Sequence, residues 1–271
     1  MCGICGEMSF GARPVDEQAL LAMTDTLKHR GLDHGAVYRS PDGQAGLGFR
    51  RLSIIDLRAV ANQPVGNEDG SIQLVFNGEI YNFQKLRKGL VANGHVIRSN
   101  SDSEVIVPLY EELGDRAIDQ LDGMFALAIW DRRAGRLVLA RIAPAGSRSS
   151  RMRPPSAWPS RRRQRRCSRT PTCISSYVPH PKTVYRGVQH VEPGTVVSLD
   201  RRGRQTSRRY WQLTFPAATA ASTVPRADAN ERVRELVTKA VERRFVSDVP
   251  RGAFLSGGIN STIIVGLMSC R

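Results

Sequence analysis

The chain has 271 residues, 40 Lys and Arg against 25 Asp and Glu, a formal net charge of +15 and 41 % hydrophobic residues. That apolar content excludes wholesale disorder and collagen-like repeats. No apolar run reaches the roughly 20 residues of a membrane span, and Met1–Phe10 lacks the layout of a signal peptide. The five cysteines are too few for a disulfide framework, so a cytoplasmic location is expected. The excess charge invites a nucleic-acid reading, but its distribution argues otherwise. Residues 1–141 are net −2, residues 142–176 net +9 and residues 177–271 net +8. The middle block holds 9 Arg, 8 Ser and 5 Pro among 35 residues. Its apolar residues follow neither helical nor strand period, so disorder is predicted for it.

In chain order, Gly3–Phe10 and Ala45–Asp56 are predicted strands, with a helix between them over Asp16–His29 capped by Asp16. Ile72–Phe76 is a short strand expected to end at an Asn77-Gly78 turn. Phe83, Leu86 and Leu90 mark a helix closed by Asn93-Gly94, and Ile106, Leu109, Tyr110 and Leu113 mark another closed by Gly114. Gly123–Trp130 and Arg136–Ala140 form a strand pair joined through Arg133-Ala134-Gly135. After the Arg-rich block, Thr183–Val191 and Thr195–Leu199 are strand-like, with Pro193-Gly194 as their turn. Phe215–Ala227 is composed like a linker. Val233, Leu236, Val237, Ala240 and Val241 then stripe a helix of about 16–18 residues. Gly252–Leu255 is an expected strand leading through Ser256-Gly257-Gly258 into a last helix.

Cys2 is the sharpest chemical candidate. Trimming of Met1 places a thiol and a free α-amine on one residue, and the amine, with a reference pKa of about 8, is matched to general-base work near neutrality. Cys2-x-x-Cys5 also has the spacing of half a zinc site or of a redox pair, but no metal is expected. Taken singly, Arg51 reads as a surface charge, Asn77-Gly78 as a turn and Ser101-Asp102 as a helix cap.

Together, Met1-Cys2-Gly3-Ile4-Cys5-Gly6, His29-Arg30-Gly31-Leu32-Asp33, Arg51–Asp56, Asn77–Asn82, Ser101–Glu104 and Phe125–Asp131 resemble the class II glutamine amidotransferases. Among these, the glutamine-hydrolysing asparagine synthetases fit best. The resemblance implies an α+β fold, an N-terminal-nucleophile αββα sandwich with two antiparallel sheets between helix layers. It makes Cys2 the nucleophile and gives Asn77 and Gly78 the oxyanion. It gives Arg51, Leu52, Ile54, Asn77, Gly78, Glu79 and Asp102 to the glutamine pocket, with Arg51 facing the α-carboxylate and Asp102 and Glu79 the α-ammonium. Leu32 stands where the family usually has Pro.

Leu255, Ser256, Gly257, Gly258 and Ser261 resemble the pyrophosphate loop of ATP-dependent adenylating ligases, the start of an α/β ATP-binding domain. Asn260 replaces the motif's Asp, a poorer ligand for Mg²⁺. The resemblance implies domains at 2–214, containing the anomalous 142–176, and at 228–271, joined by a 215–227 linker. The second is expected to be a truncated start, and the Arg-rich block an out-of-frame stretch. Implied substrates are glutamine, aspartate and ATP with Mg²⁺, in a chain that retains at most the glutaminase half and that allows a homodimer. The alternatives are a related enzyme with another acceptor, an inactive product, or nucleic-acid binding through the Arg-rich block.

Overall fold

The computed structural model describes residues 2–142, 150–152, 181–183, 185, 187–215 and 224–269. Most of the Arg-rich block, and with it the expectation of disorder and of an out-of-frame origin there, lies outside the described residues. So do residues 216–223 of the linker.

Two antiparallel sheets form the centre. The smaller has the order β1 (Gly3–Met8), β3 (Ala45–Arg51), β2 (His34–Arg39). The larger has six strands. Their order is β11 (Gln205–Arg209), β10 (Thr195–Asp200), β7 (Arg136–Arg141), β6 (Gly123–Asp131), β5 (Ile72–Ile80) and β4 (Val65–Gly66). Helix α1 (Glu17–Thr26) starts where the Asp16 carboxylate accepts from the Gln18 and Ala19 N–H groups, and it covers the outer face of the smaller sheet. Gly46 permits this: a Cβ there would lie 2.8 Å from Leu20 and from Val15. Helices α2 (Phe83–Ala92) and α3 (Ile106–Leu113) cover the outer face of the larger sheet. The result is the expected αββα sandwich.

Strand alternation sorts the side chains into these layers. On β5, Ile72, Leu74, Phe76 and Ile80 pack under α2 and α3 with Leu127 and Ile129 of β6. Val75 faces the other way and meets Ala128 and Trp130, along with Ala45, Leu47 and Phe49 of β3. Ile4 and Met8 of β1 pack against this inter-sheet cluster, as does Cys2. Trp130 and Phe49 are fully buried there. Period two thus puts Cys2, Arg51 and Asn77 on the same inter-sheet layer as Ile4, Phe49 and Val75.

Several sequence-based expectations are corrected. Asn77-Gly78 is not a turn, because β5 runs through it to Ile80, paired throughout with β6 (Asn77 opposite Ala126, Gly78 opposite Phe125). The glycine is required by closeness instead: a Cβ on Gly78 would collide with the Met124 carbonyl and lie 2.6 Å from Phe125 Cα. Strand β3 stops at Arg51 rather than Asp56, because the chain then turns away into a loop in which Asp56 adopts φ 52°.

Residues 183–199 do not make a hairpin. Strand β9 (Val188–His190) pairs with β8 (Ser150–Met152), whereas β10 pairs with β7 and β11. Residues 150–152 of the Arg-rich block are therefore strand. Arg226 and Ala227, expected in the linker, open helix α4 (Arg226–Glu242). Helix α5 (Ile259–Ser269) follows the glycine loop. Gly252–Leu255 is not a strand: no strand runs beside it among the described residues, and an isolated strand leaves its backbone groups unpaired. Phe254 is accordingly fully exposed, and Val233 and Leu236 of the α4 stripe are exposed too. No helix of the described residues is long and apolar enough to cross a membrane.

Candidate active site

Cys2 immediately precedes β1, whose pairing with β3 (Gly3 opposite Arg50) sets it beside the end of β3. Its Sγ accepts from the Leu52 N–H at 3.4 Å and approaches the Leu52 carbonyl at 3.7 Å. Burial pushes the Cys2 thiol pKa up, and the Leu52 N–H partly offsets this. The thiol is therefore not activated by its surroundings alone. Arg30 Nε donates to the Cys2 carbonyl at 3.1 Å, and the Asp33 carboxylate accepts from the Ser53 N–H at 2.6 Å. The loop containing Arg30 thus holds both sides of the Cys2 position.

One pocket is lined by Cys2, Arg51, Leu52, Ile54, Asn77, Gly78, Glu79 and Asp102, every residue expected at the glutamine site. The two sheets face each other here, and β5 supplies the far wall. In the antiparallel ladder, the N–H groups of alternate residues point away from the partner strand. Arg132 N–H bonds the Ser71 carbonyl and Tyr81 N–H the Asp122 carbonyl, which sets the odd-numbered residues of β5 toward β6. The N–H groups of Phe76, Gly78 and Ile80 then share the opposite edge. Phe76 donates to Gln63 Oε1 at 2.6 Å, and Ile80 donates to Asp102 Oδ2 at 2.8 Å. The Gly78 N–H lies between them at the pocket, and the Asn77 side chain enters from the inter-sheet face.

Asp102 opens a short 3₁₀ turn whose Ser101 cap accepts from Ser103 N–H. Burial raises its carboxyl pKa to about 6, helped by the negative charge of Glu79; the bond from Ile80 N–H acts the other way. Glu79, half-buried, is also pushed up by burial, and Arg244 opposes that shift. Arg244 lies over the Tyr81 ring at 4.8 Å, and Arg243 pairs with Asp122 at 2.7 Å. The residues after α4 therefore dock beside the pocket.

Arg51 is buried, and its terminal N–H groups serve the neighbouring loop. Nη1 donates to Asn62 Oδ1 at 2.6 Å and to the Arg58 carbonyl at 3.1 Å. Nη2 donates to the Ile55 carbonyl at 3.2 Å and to the Asp56 carbonyl. Sequence reasoning missed this role, together with Asn62, Gln63 and Asp248. Arg30 was visible only as part of a motif. None of these carries a local periodic signal; each acts through a contact distant in sequence.

The second group, Leu255, Ser256, Gly257, Gly258 and Ser261, stands apart from this pocket at the start of α5. Gly257 has φ 76°, Ser256 and Ser261 Oγ are 3.0 Å apart, and Ser261 and Thr262 donate to the Gly258 carbonyl. No atom lies within 4 Å of a Cβ built on Gly257, leaving the loop open to a phosphate at a helix N-terminus. No cluster of three His, Cys, Asp or Glu side chains suited to a metal occurs among the described residues.

The two facing antiparallel sheets, the cysteine at the head of β1 and the Asn-Gly pair on β5 define an amidotransferase-type sandwich. A solved structure is in keeping with that. Glutamine phosphoribosylpyrophosphate amidotransferase from B. subtilis superposes with a TM-score of 0.52 at 16 % identity, over 78 % of this chain and 49 % of that one, a likeness of fold. The sequence model of the glutamine amidotransferase domain matches residues 1–144, and the chain belongs to that family. The asparagine synthase model matches residues 232–270. Among curated relatives, asparagine synthetase [glutamine-hydrolyzing] 1 of Bacillus subtilis is 32 % identical over 98 % of this chain and 44 % of its own length. An amidase of Gibberella zeae is 31 % identical over 90 % of this chain and 38 % of its own. The chain spans less than half the length of these two relatives.

Proposed function

We propose that the chain hydrolyses the side-chain amide of glutamine at Cys2, as the ammonia-supplying half of an asparagine-synthetase-like amidotransferase comprising residues 2–214, with 215–227 as linker and 228–271 as the start of the ATP-binding unit. The observation that carries this is the single pocket uniting Cys2 with Asn77, Gly78, Glu79 and Asp102.

Removal of Met1 exposes the α-amine of Cys2, which takes the thiol proton that burial otherwise retains. The thiolate adds to the amide carbon. The Asn77 amide and the Gly78 N–H donate to the oxyanion, the latter from a strand edge where its neighbours are already paired. Collapse breaks the C–N bond, the amine returns its proton to the leaving nitrogen, and ammonia departs. Water then resolves the γ-glutamyl thioester to glutamate and regenerates the thiol. The substrate's α-ammonium is met by Asp102 and Glu79. Arg51 meets the α-carboxylate by exchanging one of its loop bonds, that to Asn62 being the one made to a side chain.

Ammonia passes to an acceptor activated with ATP; aspartate is the acceptor we favour, since the asparagine synthase model matches residues 232–270. The open glycine loop fits a pyrophosphate, which Leu255, Ser256, Gly257, Gly258 and Ser261 would hold; when bound, ATP supplies the leaving group for acceptor activation. The described residues do not fit Mg²⁺, because Asn260 offers an amide where a carboxylate is needed and no cluster of three His, Cys, Asp or Glu lies among them.

Glutamate release from glutamine tests the reading. Activity is expected in wild type with Met1 removed, verified by intact mass, and is lost in Cys2→Ala and in protein retaining Met1. Folded wild type without release, or release that persists in Cys2→Ala, refutes it.

A further inference from the structure

Asp248 lies after α4, 192 residues from Asp56, yet grips the loop that lines the glutamine pocket. Its N–H donates to the Ile54 carbonyl at 2.8 Å, and its Oδ2 accepts from the Asp56 N–H at 2.7 Å. Asp56 is the single non-glycine residue with positive φ among the described residues, at 52°. Left-handed backbone costs an L-residue energy and persists where surrounding bonds enforce it. The Asp56 carboxylate is itself fully engaged. It accepts from the Asn100 N–H at 2.6 Å and from Arg58 Nε and Nη2 at 2.7 and 2.6 Å.

The peptide between Ile55 and Asp56 carries the consequence. Its carbonyl accepts from Arg51 Nη2 at 3.2 Å, and its N–H donates to Asp248. A peptide unit is planar, so both groups turn together. Releasing the N–H frees the plane to rotate and withdraws the carbonyl from Arg51. Arg51, Leu52, Ile54 and Ile55 all line the pocket, so the loop cannot move without changing it.

We propose that Asp248 is a positioning residue for the glutamine site: its clasp on Ile54 and Asp56 sets the Ile55–Asp56 peptide, that peptide orients Arg51, and the pocket thereby depends on the segment leading into the Ser256–Gly258 loop. The proposal rests on glutamine being the substrate of the Cys2 pocket. It acts on substrate capture and not on the Cys2, Asn77 and Gly78 chemistry, so it separates KM from kcat.

The experiment compares wild type, Asp248→Ala and Asp248→Asn, full length, for glutamate release and for hydrogen exchange of the peptide spanning residues 52–58. Asp248→Ala is expected to raise KM for glutamine about tenfold with kcat within about twofold. Asp248→Asn keeps a carbonyl acceptor and its own N–H, and is expected to stay within about threefold of wild type. Asp56 amide exchange is expected to quicken about tenfold in Asp248→Ala and little in Asp248→Asn. KM unchanged in Asp248→Ala overturns the proposal while leaving the glutaminase reading intact. Wild type without glutamate release refutes that reading instead. The exchange measurement then still decides the clasp, which falls if the Asp56 amide exchanges equally in all three proteins.

Discussion

Asp102 links substrate binding and stability to pH with opposite signs, which makes it a stringent test of the pocket. Its carboxyl titrates near 6 when folded, against an ordinary value near 4, chiefly because it is buried. A raised carboxylate favours the protonated folded protein. Its stabilising contribution is full below about pH 4 and is lost as pH rises through 6. Two pK units at about 1.4 kcal/mol each make the loss about 3 kcal/mol. Glutamine's α-ammonium, in contrast, needs the ionised form. With a pKa near 6, about one molecule in eleven is ionised at pH 5 and nearly all at pH 8, so affinity should fall about tenfold between pH 8 and pH 5.

The Cys2→Ala variant allows glutamine Kd to be measured by calorimetry without turnover, and urea unfolding gives stability across the same range. In Asp102→Asn, whose side-chain oxygen can still accept from Ile80 N–H, the pH dependence of Kd should fall well below tenfold, leaving only what Glu79 contributes. The stability difference between this variant and the parent should grow by about 3 kcal/mol from pH 4 to pH 8, the variant being the more stable at high pH. A Kd that is flat in the parent, or a tenfold pH dependence that survives undiminished in Asp102→Asn, refutes the assignment of Asp102 to the ammonium.

Three other outcomes are expected. Asn77→Ala removes one of two oxyanion donors and should lower kcat by about 10²- to 10³-fold with little change in KM, measured by glutamate release. Gly78→Ala introduces a methyl group 2.6 Å from Phe125 Cα and against the Met124 carbonyl, and should cost about 1–3 kcal/mol in urea unfolding as well as activity. Leu20→Ala empties a fully buried position between α1 and the smaller sheet, and should cost about 2–5 kcal/mol while leaving glutamine KM unchanged.

Local pattern made much of this molecule legible. The Asp16 cap, the Gly114 stop after α3 and the β6–β7 pair all rest on interactions within a few residues, and all are present. The Asn77-Gly78 reading failed because a pair common in turns is equally what a strand uses when its neighbour approaches too closely for a side chain. The Gly252–Leu255 reading failed because a strand exists only by pairing.

The same division holds for the site. Taken singly, Arg51 reads as a surface charge and Asn77-Gly78 as a turn, and only the family resemblance assigned them with Cys2 to one pocket. Their inward faces follow from strand alternation once β3 and β5 are known to run to Arg51 and through Asn77. Only tertiary structure decided that these faces meet. The packing of one sheet on the other brings β5 across to the head of β1. It also turns Arg51 toward its own loop and carries Asp248 to Asp56. Such contacts join residues far apart in sequence through register and peptide orientation, neither of which leaves a periodic trace in the chain.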